Sequence, residues 1–417
     1  MHKAPRGTVD ILPQEHAYWK YVEEKATSLC HLYGYQPLRT PIFEDAQLFT
    51  KTVAGGTDIV DKEMYIFKDK SGQELALRAE GTAPVCRAYL EHGLFNLAQP
   101  VKLYYIGPAF RYERPQFGRY RQHHQFGFEA LGEADPALDA EVIEMARQFF
   151  HSLGLSRCTI QLNSIGCKVC RPGYLEVLRH HYSGYTENLC PDCKARLVKN
   201  PLRLLDCKKT SCQEIAKTAP KISDYLCHAC QLHFQSVQKY LGAMSIPFHL
   251  NNRLVRGLDY YTRTVFEVEP REKGGQSTLG GGGRYDDLIE SLGGQPTPAV
   301  GFATGLERII LNLKKQKLDI QTLPKPDAFI AYLGEEAKIE AIKIASELRK
   351  AGIAIIMATS DKSLRGQMRQ ANSLGSVYAL ILGEQEISDR NVILRDMKSG
   401  EQKIIPSAEI ARTLKPR

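Results

Sequence analysis

The sequence predicts an α+β protein in three parts: a split domain of strands and helices, a helical insertion within it, and a small α/β domain at the C-terminal end. Three observations carry that prediction. Strand-like runs such as VKLYYIG (101–107) and HQFGFEALG (124–132) alternate with helical stretches up to about Leu162. From about Gly166 to Leu241 the pattern turns helical, cysteine-rich and basic, and the strand signal returns at Leu254 and again at Pro298 to Phe302. Beyond the polar, proline-containing stretch KKQKLDIQTLPKP (314–326), strand and helix alternate. The expected bounds are 1–323 for the split domain, 167–240 for its insertion and 324–417 for the last domain.

In chain order, the first part carries helices at His16 to Tyr33 and Ala137 to Leu153. The run 124–132 alternates polar and apolar residues around Glu129, the pattern of a sheet with one face turned to a ligand. Between its strands, FRYERPQFGRYRQHHQFGFE (110–129) reads as a hairpin, with Pro115 and Gly118 forcing a loop between two arms. Such a hairpin projects Arg111, Arg114, Arg119 and Arg121 into one space, and guanidiniums bind phosphates through forked hydrogen bonds. The plainer alternative is a basic surface hairpin paired with Glu113 and Glu129. His123 and His124 stand beside these arginines, as a wall residue or a polyanion contact.

LVRGLDYYTRTVFEV (254–268) reads as a strand-like run bringing Arg256, Asp259, Tyr260 and Tyr261 together, and LGGGGRYDD (279–287) supplies backbone that a ligand can approach closely. The plainer readings are a salt bridge from Arg256 to Asp259 and a flexible glycine turn, because the glycine run lacks the GxxxxGK[ST] pattern of a phosphate loop. In the last part, strands are expected at 327–334, 353–358, 378–383 and 391–396, with helices at Glu336 to Ala351 and Ser363 to Leu374, on a largely parallel core sheet.

Composition narrows the class. At roughly 100–200 residues per domain, 417 residues allow two to four units with real cores. No run approaches the about 20 apolar residues of a membrane span, and MHKAPRGTVDILPQEH lacks the apolar core of a signal peptide, so a cytoplasmic protein is expected. The net charge of +8 favours polyanionic partners. Between Cys167 and Gln235 eleven Lys and Arg face six Asp and Glu, and Lys194, Arg196, Lys199, Arg203, Lys208 and Lys209 oppose only Asp206, a cluster that can meet phosphates.

Eleven cysteines, an odd number without an export signal, point to reduced thiols or metal ligands rather than a disulfide framework. Cys167 and Cys170, Cys190 and Cys193, and Cys227 and Cys230 are C-x2-C pairs, and Cys207 and Cys212 form a looser fourth. Two such pairs complete a tetrahedral structural zinc site, with Cys190, Cys193, Cys227 and Cys230 as the candidate set, and eight cysteines suffice for two sites. The alternative is plain reduced thiols.

These segments resemble the histidyl-tRNA synthetase family of class II aminoacyl-tRNA synthetases, bacterial type. Tyr33 to Glu44 (YGYQPLRTPIFE) resembles motif 1, the dimer-forming element; Phe110 to Glu129 resembles motif 2; Ala299 to Ile310 (AVGFATGLERII) resembles motif 3. LVRGLDYYTRTVFEV and LGGGGRYDD resemble the two signatures specific to the family, so the likeness covers nearly the whole chain. It implies an antiparallel catalytic sheet flanked by helices and a C-terminal anticodon-binding domain. It also implies a cytoplasmic homodimer that forms histidyl-adenylate from L-histidine and ATP, with Mg²⁺, and passes histidine to tRNA(His). No membrane or DNA partner is expected.

The residue roles follow from the same likeness. Arg111 and Arg256 match catalytic arginines on the α-phosphate, while Glu80, Thr82, Gln125, Glu129, Arg256, Tyr260 and Tyr261 match histidine-binding positions. Arg111, Glu113, Arg119, Gly305 and Arg308 match the ATP site. A catalytically silent relative, the regulatory subunit of ATP phosphoribosyltransferase, is the alternative, but it lacks the C-terminal unit and tends to lose these arginines. A tRNA-sensing module is a further one; it usually adjoins a kinase, and no HRD and DFG pair occurs here.

Overall fold

The computed structural model describes residues 2–52, 63–114, 118–270, 278–316, 320, 324–359 and 362–414, with 51 and 52 described in their backbone alone. The expected hairpin turn at Pro115 and the expected boundary at 323 lie outside these residues. The chain forms two compact units, Met1–Gln321 and Thr322–Arg417.

The first unit contains β1 (Gln36–Pro37), β2 (Phe43–Asp45), β3 (Ile66–Lys68), β4 (Glu74–Leu77), β5 (Val101–Phe110), β6 (Gln122–Leu131), β7 (Cys158–Ser164), β8 (Phe248–Leu250), β9 (Thr262–Pro270), β10 (Gly280–Arg284) and β11 (Ala299–Gly305). Eight of them form one sheet in the order β1-β5-β6-β11-β10-β9-β7-β8, and β2-β4-β3 form a smaller one. Every pair from β5 to β7 is antiparallel, as expected, while the short edge strands β1 and β8 are parallel to their neighbours.

The two faces of the large sheet differ because β6 alternates. Phe126, Phe128 and Ala130 point to a core shared with the helices His16–Leu32 and Pro136–Ser152. The latter starts at Asp135, whose carboxylate accepts from the Ala137 N–H at 2.8 Å, and Pro136 takes the first position, where no N–H is needed. Its stripe Leu138, Val142, Ile143, Met145, Ala146, Phe149 and Phe150 is buried against the sheet, worth about 1.5–3 kcal/mol for each large side chain. Gln125, Gly127 and Glu129 face the other way.

On that second face lie the helices Arg171–Ser183, Pro191–Lys199 and Thr210–Lys217 of the expected helical insertion, while its last helix, His228–Ala243, joins the first core through Phe234, Val237 and Leu241. Tyr174, Leu178 and Tyr182 join one buried cluster with Tyr260, Tyr261 and Val265, so the insertion packs directly on the sheet. A buried ion group fastens its last helix to the other core: Asp139 accepts from Arg284 Nε at 3.0 Å and lies 3.1 Å from His233 Nε2. Burial would raise the Asp139 pKa, but Arg284 outweighs it and holds the carboxyl at about 2.

The second unit has β12 (Ala328–Tyr332), β13 (Ile355–Met357), β14 (Tyr378–Leu382), β15 (Asn391–Asp396) and β16 (Gln402–Pro406), ordered β13-β12-β14-β15-β16. The first three are parallel, and β12, buried throughout, reads as an unbroken apolar run for that reason. The sheet departs from the expected one at β15 and β16, an antiparallel hairpin whose second strand was not expected.

Candidate active site

Four strands, β6, β9, β10 and β11, and a turn meet around a cavity of about 400 Å³, a size typical of small-molecule sites. Glu80, Thr82, Arg111, Glu113, Arg119, Gln125, Glu129, Arg256, Tyr260, Tyr261, Gly305 and Arg308 all line it.

One end is acidic. Thr82 Oγ1 donates to Glu129 Oε1 at 2.7 Å and Tyr285 OH donates to Oε2 at 2.5 Å. Burial, reinforced by the Glu80 charge and partly offset by these hydroxyls, pushes the Glu129 pKa up to about 8. Glu80 accepts from the backbone N–H groups of Thr82 and Ala83 at 2.6 and 2.9 Å, fixing the start of the helix Thr82–Glu91; burial still raises its pKa. Gln125 Oε1 is buried with no hydrogen-bond partner among the described residues. Such an atom is costly to leave unpaired, so it marks where a ligand donor fits.

The other end is basic. Arg111, Arg119, Arg256, Arg308 and Lys208 share it with four carboxylates: Glu113, 3.3 Å from Arg119, Glu267, which accepts from Arg256, and Asp206 and Glu307. The excess of positive charge suits an anionic ligand. Along β11, Gly301 stands opposite Glu129 and Gly305 opposite Gln125, so the four-residue step separates the two strand positions by about 14 Å. That is room for an amino acid and a triphosphate side by side.

The glycines exist for the side chains that cross them. A Cβ on Gly301 would sit 1.6 Å from Glu129 Oε2, and one on Gly281 would sit 2.6 Å from an Arg256 guanidinium nitrogen. Any larger residue would push the acid or the arginine out of the cavity.

Several expectations need correction. Residues 254–261 are not a strand; β9 begins at Thr262. The physical reason is facing: consecutive strand residues point to opposite sides, whereas a turn lets Arg256, Tyr260 and Tyr261 all reach the cavity. Arg256 pairs with Glu267, not Asp259, whose carboxylate accepts from Asn200 Nδ2 at 2.6 Å. Arg284, which ends the glycine strand, lies wholly in the buried ion group on the other face. His124 turns to Glu307 at 2.9 Å, while His123 lines the cavity as a neutral imidazole, its pKa lowered to about 3 by burial and then by Arg111. Cys190 and Cys193 are not brought together with Cys227 and Cys230. Cys190 and Cys193 gather with Cys207 and Cys212, and Cys227 and Cys230 with Cys167 and Cys170, because the helices that carry them fold back in nested order.

Residues missed from sequence are Glu267, Tyr285, Asp206 and Lys208. The first had a signal: a glutamate inside the apolar alternation of TRTVFEVEP, opposite Gly281. Asp206 and Lys208 reach the cavity from the insertion, which only its packing reveals.

The profile of the histidyl-tRNA synthetase family matches residues 7–168 and 201–309, and that of an anticodon-binding domain matches 327–417. A protein of Dehalococcoides mccartyi named histidine–tRNA ligase is 56% identical over 415 residues, covering 100% of this chain and 99% of the relative. A histidine–tRNA ligase of Natranaerobius thermophilus is 48% identical over 414 residues, covering 99% and 98%. The crystal structure of apo S. aureus histidyl-tRNA synthetase superposes with a TM-score of 0.83 at 37% identity, over 99% of this chain and 100% of that one.

Proposed function

The chain belongs to the histidyl-tRNA synthetase family, and from that premise we propose how its own residues carry the family's reaction. The activity is that of a histidine–tRNA ligase: L-histidine and ATP give histidyl-adenylate and pyrophosphate, and histidine then passes to the 3′ end of tRNA(His). In our reading the acidic end holds histidine. Glu80 and Thr82 accept from its α-amino group, and Glu129 with Tyr261 pairs its imidazole, while Gln125 and Tyr260 complete the wall. A pocket that pairs both ring nitrogens rejects apolar analogues, because those leave buried polar groups unpaired.

The basic end holds ATP. Arg111 and Arg256 flank the α-phosphate, where the histidine carboxylate attacks in line and charge builds on the phosphate oxygens; fixed guanidiniums stabilise that charge without any proton transfer. Arg308 and Arg119 take the outer phosphates, Glu113 the adenine side, and Gly305 leaves backbone exposed to the nucleotide. Magnesium needs oxygen donors, and Glu113, whose buried Oε2 lies 3.3 Å from Arg119 Nη1, and Glu267 would supply them; the ion would neutralise phosphate charge. The single observation that carries the reading is the convergence of the Glu129 cluster and four arginines on one cavity. It also sets aside the silent regulatory subunit, which has no use for those arginines. Pyrophosphate exchange assayed with each amino acid tests it: histidine alone should support exchange, and exchange with another amino acid, or with none, overturns the assignment.

We further propose a homodimer, an insertion domain at 167–240 and recognition of the anticodon by 324–417. The last carries fifteen basic against twelve acidic residues within 325–417, too small an excess for charge alone, so shape and stacking must contribute. A chain ending at Gln321 should keep histidine-dependent exchange far better than aminoacylation. Parallel loss of both in a folded truncation would make the unit structural.

The basic cluster of the insertion is assigned to the acceptor arm, since Asp206 and Lys208 stand at the cavity where the terminal ribose must arrive. Reversing charge at Lys194, Arg196 and Lys199 should raise the Michaelis constant for tRNA and flatten its salt dependence, by about 0.9 in log–log slope per phosphate on a B-form duplex scale. Histidine activation should not change. Unaltered tRNA affinity and slope would turn the cluster to solvent.

A further inference from the structure

Eight of the eleven cysteines lie in the insertion, and all eight fall into two groups of four; Cys30, Cys86 and Cys158, outside it, join neither. In the first group Cys167 Sγ lies 3.9 Å from Cys170 and 3.8 Å from Cys227, and Cys170 lies 3.9 Å from Cys230. In the second, Cys190 lies 3.9 Å from Cys207, and within each group all sulfurs are within 4.8 Å of one another. Four sulfurs placed tetrahedrally at about 2.3 Å from a zinc ion are about 3.8 Å apart. A disulfide needs about 2.05 Å, and every cysteine here is free.

The surroundings are those of thiolates. Cys170, Cys190 and Cys227 each stand immediately before a helix, and Cys212 lies in the first turn of another, where the helix dipole favours negative charge. Backbone N–H groups aim at sulfur: Cys167 N at Cys170 Sγ (3.3 Å), Val169 N at Cys167 Sγ (3.4 Å) and Cys190 N at Cys212 Sγ (3.4 Å). Such second contacts orient and stabilise metal-bound thiolates. With four protein sulfurs no coordination position is left open, so these sites are structural.

Both groups touch elements of the active site. The first joins residues 60 positions apart and so ties the first helix of the insertion to its last. Arg171, next after Cys170, then donates to the carbonyls of Ile165 and Gly166 at 3.0 Å and of Tyr261 at 2.6 Å. The second group contains Cys207, flanked by the cavity residues Asp206 and Lys208. Just before it, Asn200 holds the Asp259 carboxylate at 2.6 Å and Arg203 the Gly257 carbonyl at 3.1 Å, the turn that presents Arg256.

We propose that the insertion binds two structural zinc ions, one at Cys167, Cys170, Cys227 and Cys230 and one at Cys190, Cys193, Cys207 and Cys212, and that the second ion holds the insertion against the Arg256 turn. The functional half of this proposal rests on the reading of the cavity given above; the metal half does not. Each ion would add order to the insertion by closing a loop that the chain must otherwise hold by packing alone.

The test is elemental analysis of the full-length protein purified in zinc-supplemented medium. About two zinc ions per chain are expected, falling to about one in Cys207→Ser/Cys212→Ser and about one in Cys227→Ser/Cys230→Ser. About one zinc per chain or less in the wild type, or iron in its place, overturns the proposal, as does loss of the same single ion by both variants. If a variant fails to fold, the wild-type metal count and the thiolate-to-cobalt absorption of cobalt-grown protein still decide the metal half. Hydrogen exchange reads the coupling: residues 200–208 and 256–259 should exchange at least tenfold faster in Cys207→Ser/Cys212→Ser, and unchanged exchange overturns it. Failure of histidine-dependent exchange in the wild type would overturn the activity reading while leaving the zinc count untouched.

Discussion

Arg256→His lowers the rate of histidyl-adenylate formation by about a hundredfold or more, equivalent to roughly 2.7 kcal/mol of transition-state stabilisation. The guanidinium lies against the bare Cα of Gly281 and is held there by Glu267, whose other oxygen accepts from Thr278 at 2.9 Å. Its Nε has no hydrogen-bond partner among the described residues, so one donor remains for a phosphate oxygen. Histidine is shorter and uncharged at neutral pH, so the substitution removes charge where charge develops, at the α-phosphate, and leaves the acidic end intact. The Michaelis constant for histidine should therefore hardly move. Rapid-quench measurement at saturating ATP and histidine separates the two constants, and a melting curve checks that Glu267, stripped of its partner, has not unfolded the site. An unchanged adenylation rate would remove Arg256 from the mechanism.

The second large effect is expected at Glu129. Glu129→Gln should reduce kcat/KM for histidine in pyrophosphate exchange by about 10- to 100-fold, the worth of one hydrogen bond to a charged group. It should also erase a pH dependence. The carboxyl of the ligand-free protein titrates near 8 because burial resists its charge, so the ionised form that accepts from a ligand grows as pH rises towards that value. The ratio of wild-type to variant kcat/KM, in which the titration of histidine itself cancels, should climb from pH 6 through about 8, where half of the carboxyl is ionised, and level above it. Stability runs the other way. An unfolded glutamate loses its proton near 4.5 while the folded one keeps it to about 8, so burial of Glu129 weakens the fold progressively as pH rises through that window. The melting temperature of Glu129→Gln should gain on wild type from pH 5 to pH 8. A variant that is folded and shows the wild-type profile would mean that Glu129 neither titrates there nor meets the substrate.

How far the sequence reached varies from part to part, for identifiable reasons. Helices and strands with strong local periodicity were legible to within a residue or two: the helix at 137–153 appears as Pro136–Ser152, and the four strands expected after residue 326 are all present. The short β16 was missed, since QKIIP carries neither length nor alternation enough to stand out. The segment 254–261 was misread because its apolar and aromatic content mimics a strand, while its actual conformation is a turn dictated by which side chains must share one cavity.

The candidate site divides along the same line. The chemical inventory is legible along the chain: the arginines of the hairpin, the acids at 80 and 129, the tyrosine pair, the glycine tract and the paired cysteines are all readable, because side-chain chemistry and short spacing are local properties. The partners come from the packing. That Arg256 meets Glu267 rather than Asp259, that Arg284 belongs to a buried ion group, that Asp206 and Lys208 come to the cavity, and that the cysteines pair as 167, 170, 227, 230 and 190, 193, 207, 212 all depend on contacts between residues far apart in sequence. Such contacts follow from how the sheet and helices pack, and one sequence read alone carries no term for the distance between them.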